Sequence, residues 1–295
     1  MSVAARVRAQ LARRAPRVEE AAVRVNWRRR NRSRSVAAGA IADPTQRKLV
    51  DELRLQGFAV AHFDQLFPDS SLFDEAAAMA DQLYEQRQRD ADAAAGSKDT
   101  YLVKLASGRY DFNHPFVRIA LHPNVLAVAN GYLQLRSRLR ALELWYTWPT
   151  GGEAIQTQLW HRDADDVMNV KLFLYFTDVT RAAGPLTYAP NTHPLGGRRQ
   201  APEHDEHRRS SDDQMEKVVP EQAWRILEGG PRTIVFADTC GYHKQLKPES
   251  DERVKLVAHY VSGSPYVPPA LELEGVDAAA LNEDQHYAVY DRPPS

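Results

Sequence analysis

The chain has 295 residues, 43% hydrophobic and 26% charged, and its 38 Lys+Arg nearly balance 39 Asp+Glu to leave a formal net charge of −1. That balance describes one globular domain with no global pull toward nucleic acid. The single cysteine, Cys240, excludes an intrachain disulfide and a thiolate-cluster metal site, and no apolar run reaches the ~18 residues of a membrane span, which together fit a cytoplasmic protein.

Residues 1–36 are rich in arginine, with Glu19 and Glu20 as their only acids. Val3, Val7, Leu11 and then Val18, Ala22 and Val25 recur at helical spacing, so this stretch reads as a basic amphipathic helix in a solvated arm, ahead of a single domain over 37–295. Such an arm can meet an anionic membrane surface or an acidic partner. Helical patterns follow at 45–56, 71–89 and 115–133, with a strand at 58–63 and a loop at 90–99. From Leu139 the pattern changes to strands, at 139–148, 168–177, 185–189, 232–237 and 253–261. The expected architecture is α+β with a mainly β core at about 139–263: helices packed on an antiparallel sandwich or barrel. The stretch 196–216 is dense in Arg, His, Asp, Glu and Ser, and it is long enough to read as a lid-like loop.

Within the strand-rich half, His161-Arg162-Asp163 places an imidazole and a carboxylate at i and i+2, which an extended backbone projects to one side. His243, beyond the strand at 232–237, supplies a second imidazole, and two histidines with one carboxylate leave coordination positions open on a metal. With 10 histidines in the chain, about one His-x-Asp arises by chance. His62-Phe63-Asp64 is another, read as a strand end, and His204-Asp205-Glu206-His207 is read as a solvated loop. The order of features around 161, 163 and 243 separates them from chance. Arg253 follows at the start of an apolar strand, where a guanidinium can hold the far carboxylate of a dicarboxylic cosubstrate through paired hydrogen bonds. Its alternative is a surface ion pair with Glu249 or Asp251. Lys171, which shares a strand face with Phe173 and Tyr175, is a further candidate for that carboxylate. Trp160 and Tyr146 are candidates to line a substrate pocket, and Arg198 and Arg199 point to an anionic substrate.

The stretch from about Leu142 to Val261 resembles the phytanoyl-CoA dioxygenase family. Trp160-His161-Arg162-Asp163 resembles the family's metal dyad, and Phe173 to Val179 resembles the strand and turn after it. Gly184-Pro185-Leu186 to His193 is similar to the family's Gly-Pro-Leu segment, and Asp238 to His243 followed by Arg253 resembles the distal ligand and the oxo-acid arginine. The resemblance implies a double-stranded β-helix (jelly-roll, cupin-like) with N-terminal and flanking helices. It also implies iron(II) held by His161, Asp163 and His243, with 2-oxoglutarate and dioxygen as cosubstrates and oxidation of a C–H bond in a small molecule. Lys104 lies where relatives have a cosubstrate contact, and His193 matches a structural position. Related halogenases replace the metal carboxylate with a small residue. Asp163 is retained, so hydroxylation is expected, with desaturation, epimerisation and cyclisation as alternative outcomes of the same cofactors. A cupin-like binding module without turnover is the competing class, and a metal-dependent isomerase or hydrolase is a further one.

Overall fold

Pro123 interrupts what the apolar pattern alone would make one helix over 115–133. It has no N–H to donate and keeps His122 extended, so the chain forms two helices, α4 (Pro115–Ala120) and α5 (Pro123–Leu133). Each starts with proline at its first turn, capped by His114 and His122 respectively. The structure, a computed structural model, describes residues 21–36, 41–93, 101–198 and 200–290. Ahead of this pair lie a helix over residues 21–30 (α1), α2 (Pro44–Gln56), β1 (Phe58–His62), α3 (Ser71–Ala93), β2 (Leu102–Ser107) and β3 (Arg109–Asp111). Beyond it come β4 (Arg138–Thr147), β5 (Val170–Tyr175), β6 (Leu186–Tyr188), α6 (Asp212–Glu216), β7 (Arg225–Leu227) and β8 (Thr233–Ala237). The last elements are β9 (His243–Gln245), β10 (Arg253–Val261), β11 (Glu272–Glu274) and α7 (Glu283–Val289).

Six strands form an antiparallel major sheet in the order β1-β8-β5-β10-β4-β2, and β7-β6-β9 form a smaller one. The major sheet therefore recruits β1 and β2 from the helical half and reaches beyond the expected 139–263 core. Alternation along its central strands separates two interiors. Leu142, Leu144, Leu172, Leu174, Leu256 and Tyr260 face the helices in the large core. Phe173, Tyr175 and Val257 face the minor sheet, where they meet Leu186, Tyr188 and Leu227. All nine residues of β10 are buried, and this second face also carries Arg253, Lys255 and His259. This is the expected double-stranded β-helix.

Over 21–36 most side chains are exposed, as a solvated arm would have them, but Trp27, Asn31 and Arg34 are buried. Trp27 is 1% exposed and donates from Nε1 to Asp166 Oδ1 at 2.8 Å. Arg34 is 3% exposed and donates to the carbonyls of Tyr287 and Tyr290, satisfying acceptors that the last turn of α7 leaves open. A large apolar ring and a planar five-donor cation find more partners in the fold than in water, so these residues belong to the domain body. Residues 1–20, with the first half of the amphipathic pattern, lie outside the described residues. The 196–216 stretch is likewise anchored. Ser210 exchanges backbone hydrogen bonds with Trp160, and α6 carries a capping box from Ser211 to Gln214 and buries Met215.

Candidate metal centre

His161 and His243 face each other across an isolated antiparallel bridge and exchange backbone hydrogen bonds at 3.0 Å. Each ring is fixed by the same local device. Nδ1 of His161 donates to the Leu159 carbonyl at 2.9 Å, and Nδ1 of His243 donates to the Gly241 carbonyl at 3.0 Å. Since a carbonyl can only accept, each Nε2 is left as the free lone pair, the form a metal requires. The amide of Asp163 donates to the Thr239 carbonyl at 2.8 Å, and Asn169 Oδ1 holds Thr239 through both its amide and its hydroxyl. Gly241 is required where it sits, because a Cβ there would collide with the Tyr188 hydroxyl.

The result is a cluster in which one ligand atom from each of His161, Asp163 and His243 lies within 4.8 Å of the others, the one such group among the described residues. Nε2 of His161 is 3.9 Å from Asp163 Oδ1, and Nε2 of His243 is 4.0 Å from Oδ2. Burial, reinforced by the charge of the facing His243, holds the His161 pKa well below its ordinary value, and burial lowers His243 against the opposing pull of Asp163. Burial alone would raise the Asp163 carboxyl, but Lys171 and the two histidines outweigh it and keep it well below its usual range. Two neutral imidazoles and one ionised carboxylate form a donor set for a divalent transition metal.

Arg253 opens β10 at 1% exposure, and none of its three guanidinium nitrogens has a hydrogen-bond partner. It forms no ion pair with Glu249 or Asp251, so the surface-pair alternative fails. Burial pushes its pKa down to about 10. Two residues along, Lys255 is also 1% exposed and donates to Gln245 Oε1 at 2.7 Å, beside the rings of Trp145 and Phe173. Its only sequence signal is the shared face parity with Arg253.

The other candidates divide. Lys171 reaches the cluster, but its ammonium is 2.6 Å from Asp163 Oδ2 and is committed to the metal ligand rather than to a cosubstrate carboxylate. Lys104, on β2 opposite Trp145, is taken up by Glu143 at 2.6 Å with 46% of its side chain exposed. Tyr146 shares the helix-facing side of β4 with Leu144 and packs edge-on against Tyr84 of α3, so it does not line the inter-sheet space. Trp160 is fully buried against Trp224 and donates to Asp212, a packing role. Arg198 is exposed beyond the site and Arg199 lies outside the described residues. His193 is buried and donates to the Arg54 carbonyl, the structural role expected of it. A cavity of about 710 Å³ adjoins the cluster and reaches Asp163 between α1 and the 196–216 stretch. No helix among the described residues is long and apolar enough to cross a membrane.

No protein-family model matches the chain, and no curated protein matches it by sequence. Among solved structures it is similar to the epimerase SnoN in complex with Fe3+, alpha-ketoglutarate and nogalamycin RO, with a TM-score of 0.52 and 17% identity over 81% of this chain and 94% of that one. EctD from S. alaskensis with 2-oxoglutarate and 5-hydroxyectoine matches with a TM-score of 0.52 and 16% identity, over 81% of this chain and 83% of that one. The non-heme monooxygenase ThoJ matches with a TM-score of 0.51 and 18% identity, over 77% and 87%. At these identities the likeness is one of fold, a helix-flanked, cupin-like pair of antiparallel sheets.

Proposed function

We propose that this chain is an iron(II)- and 2-oxoglutarate-dependent oxygenase that hydroxylates a small molecule. The observation that carries the reading is Arg253. A buried guanidinium with three unpartnered nitrogens is costly in a folded chain, and a dicarboxylic acid whose near end binds the metal would supply the missing acceptors. His161, Asp163 and His243 would hold the iron, which with 2-oxoglutarate and dioxygen supplies C–H oxidation coupled to decarboxylation of the oxo acid to succinate. The protein's part is to keep both imidazoles neutral, to hold the carboxylate ionised through Lys171, and to exclude water. The ordered likeness to the phytanoyl-CoA dioxygenase family supports the same reading, as do the iron and oxo acid in the SnoN structure and the oxo acid in the EctD structure. Retention of Asp163 favours hydroxylation. Epimerisation, as in SnoN, desaturation and cyclisation use the same cofactors and are separated by product analysis.

The test is anaerobic addition of iron(II) and 2-oxoglutarate, read by the charge-transfer absorption at about 500 nm that a chelated keto acid gives on such an iron site. Wild type should show the band, and Asp163→Ala, His243→Ala and Arg253→Ala should lose or weaken it. A folded, metal-loaded wild type without the band, or without slow succinate formation in air, points instead to a non-catalytic cupin-like binding module.

A further inference from the structure

The cavity beside Asp163 gathers cations from three separate parts of the chain: Arg24 from α1, Arg162 from between the two metal-dyad ligands, and Arg208 from the 196–216 stretch. Its two carboxylates are already committed. Asp163 faces Lys171 and the candidate metal, while Asp166 accepts hydrogen bonds from Trp27 Nε1, the Val167 amide and the Ser262 amide. Arg24 donates to the Pro194 carbonyl, and Arg162 donates to the Thr192 carbonyl and stacks over the Tyr242 ring at 4.7 Å. Arg208 is exposed to solvent at the cavity, and its guanidinium has no hydrogen bond or ion pair among the described residues, which leaves it available to a ligand.

The backbone at Arg208 is also held at a cost. Its φ of 59° lies in the left-handed region, which a residue with a side chain adopts only when its surroundings impose it. Here the Asp205 carboxylate accepts the amides of His207 and Arg209 at 2.9 and 2.7 Å and closes the turn around Arg208. The positive edge continues toward the metal cluster. Nη1 of Arg209 is buried without a partner, and its charge is felt by both His161 and His243. The remaining wall is largely apolar, with Val23, Val167 and Tyr242 contributing. A volume of about 710 Å³ suits a small organic molecule.

We propose that this cavity is the substrate site, and that it takes a small molecule with an apolar body and an oxyacid group, carboxylate or phosphate, bound by Arg208 and Arg24. Helix α1 thereby becomes part of substrate recognition. The assignment rests on the oxygenase reading for its chemistry, but its binding test does not. The full chain, saturated with 2-oxoglutarate and iron(II) without air and, separately, free of metal, is titrated calorimetrically with 3-phenylpropionate, phenyl phosphate and the neutral 3-phenylpropionamide. Both acids should bind at least about tenfold more tightly than the amide, and Arg208→Gln and Arg24→Gln should each remove about tenfold, the loss expected for one charge-assisted hydrogen bond. Arg208→Lys should recover part of that loss. The tighter of the two acids identifies the oxyacid class. Equal binding of acid and amide, acid binding that neither arginine variant weakens, or no acid binding at all overturns the assignment. If the acids bind as expected while no iron–oxo acid band forms, the cavity assignment stands and the oxygenase reading falls.

Discussion

Lys171 and Asp163 form a part-buried contact at 2.6 Å on which a metal would draw, and the two roles of the carboxylate compete. Without metal, the ammonium is the charge that keeps Asp163 ionised. With metal, the same ammonium is a like charge beside a divalent cation. Lys171→Met should therefore destabilise the metal-free chain by about 1–3 kcal/mol, the usual cost of leaving one partner of a hydrogen bond unsatisfied. Iron(II) or manganese(II) should recover more stability in the variant than it adds to wild type, measured by urea unfolding with and without metal. Equal metal-induced gains would mean that Lys171 does not share its carboxylate with a metal. Asp238 permits a second test in the loop that carries His243. Burial raises its pKa to about 6, opposed by hydrogen bonds from the Tyr132 hydroxyl and the Cys240 amide, and the Tyr188 hydroxyl donates to its backbone carbonyl. For an acid raised in the folded state, the linked stability is fully present below the ordinary 3.8 and is lost as pH rises through 6. Wild type should therefore lose up to about 3 kcal/mol relative to Asp238→Asn between pH 4 and 7. A difference that stays flat across that window sinks the assignment.

Among the elements, α1 shows where pattern reading fails. Eleven arginines in residues 1–36 dominate the composition of that stretch and suggest solvation, yet one tryptophan and one arginine decide the packing of residues 21–36. Truncating Trp27 to alanine removes a fully buried ring and leaves Asp166 without its indole donor, so a loss of about 3–5 kcal/mol is expected, seen as a lowered urea midpoint. A change below 1 kcal/mol would return α1 to the status of a loosely attached arm. β1, β4, β5, β8 and β10 were legible because each carries apolar residues, alternating or continuous, over five or more positions. The three-residue strands β3, β7, β9 and β11 were not, since three residues carry no measurable period, and neither was the six-residue β2, none of whose side chains is fully buried. In the site, His161, Asp163 and His243 come together, and Arg253 falls on the inner face of β10, because parity and loop position determine which way those side chains point. Aromatic character announces burial without naming the face, which is why Tyr146 and Trp160 turned out to be core residues. In the 196–216 stretch, Asp205 turns Arg208 rather than Arg198 onto the cavity through hydrogen bonds that no spacing encodes.

At the scale of the molecule, the space between the two sheets is a frustrated core. Arg253 and Lys255 sit on one face of β10, surrounded by Phe173, Tyr175 and Val257, with Gln245 as the single neutral partner that Lys255 finds. Burial lowers the pKa of both cations, and the charge of Arg253 lowers Lys255 further. A chain selected only to be stable would fill this space with apolar side chains, so the cations are explained by what they bind. Two opposite effects of one substitution follow. Arg253→Met keeps most of the volume and removes the unpaired charge, so the variant without cosubstrate should melt higher than wild type, by about 1.5 °C for each kcal/mol gained in a chain of this size. Wild type should in turn be stabilised by 2-oxoglutarate plus iron(II), by about 2.7 kcal/mol at a hundredfold excess over Kd, and the variant should lose most of that gain. Thermal unfolding of the two proteins, with and without the oxo acid and metal, reads both effects at once. If Arg253→Met melts lower than wild type without ligand and still responds fully to 2-oxoglutarate, the guanidinium is a packing element and the anion belongs elsewhere in the barrel.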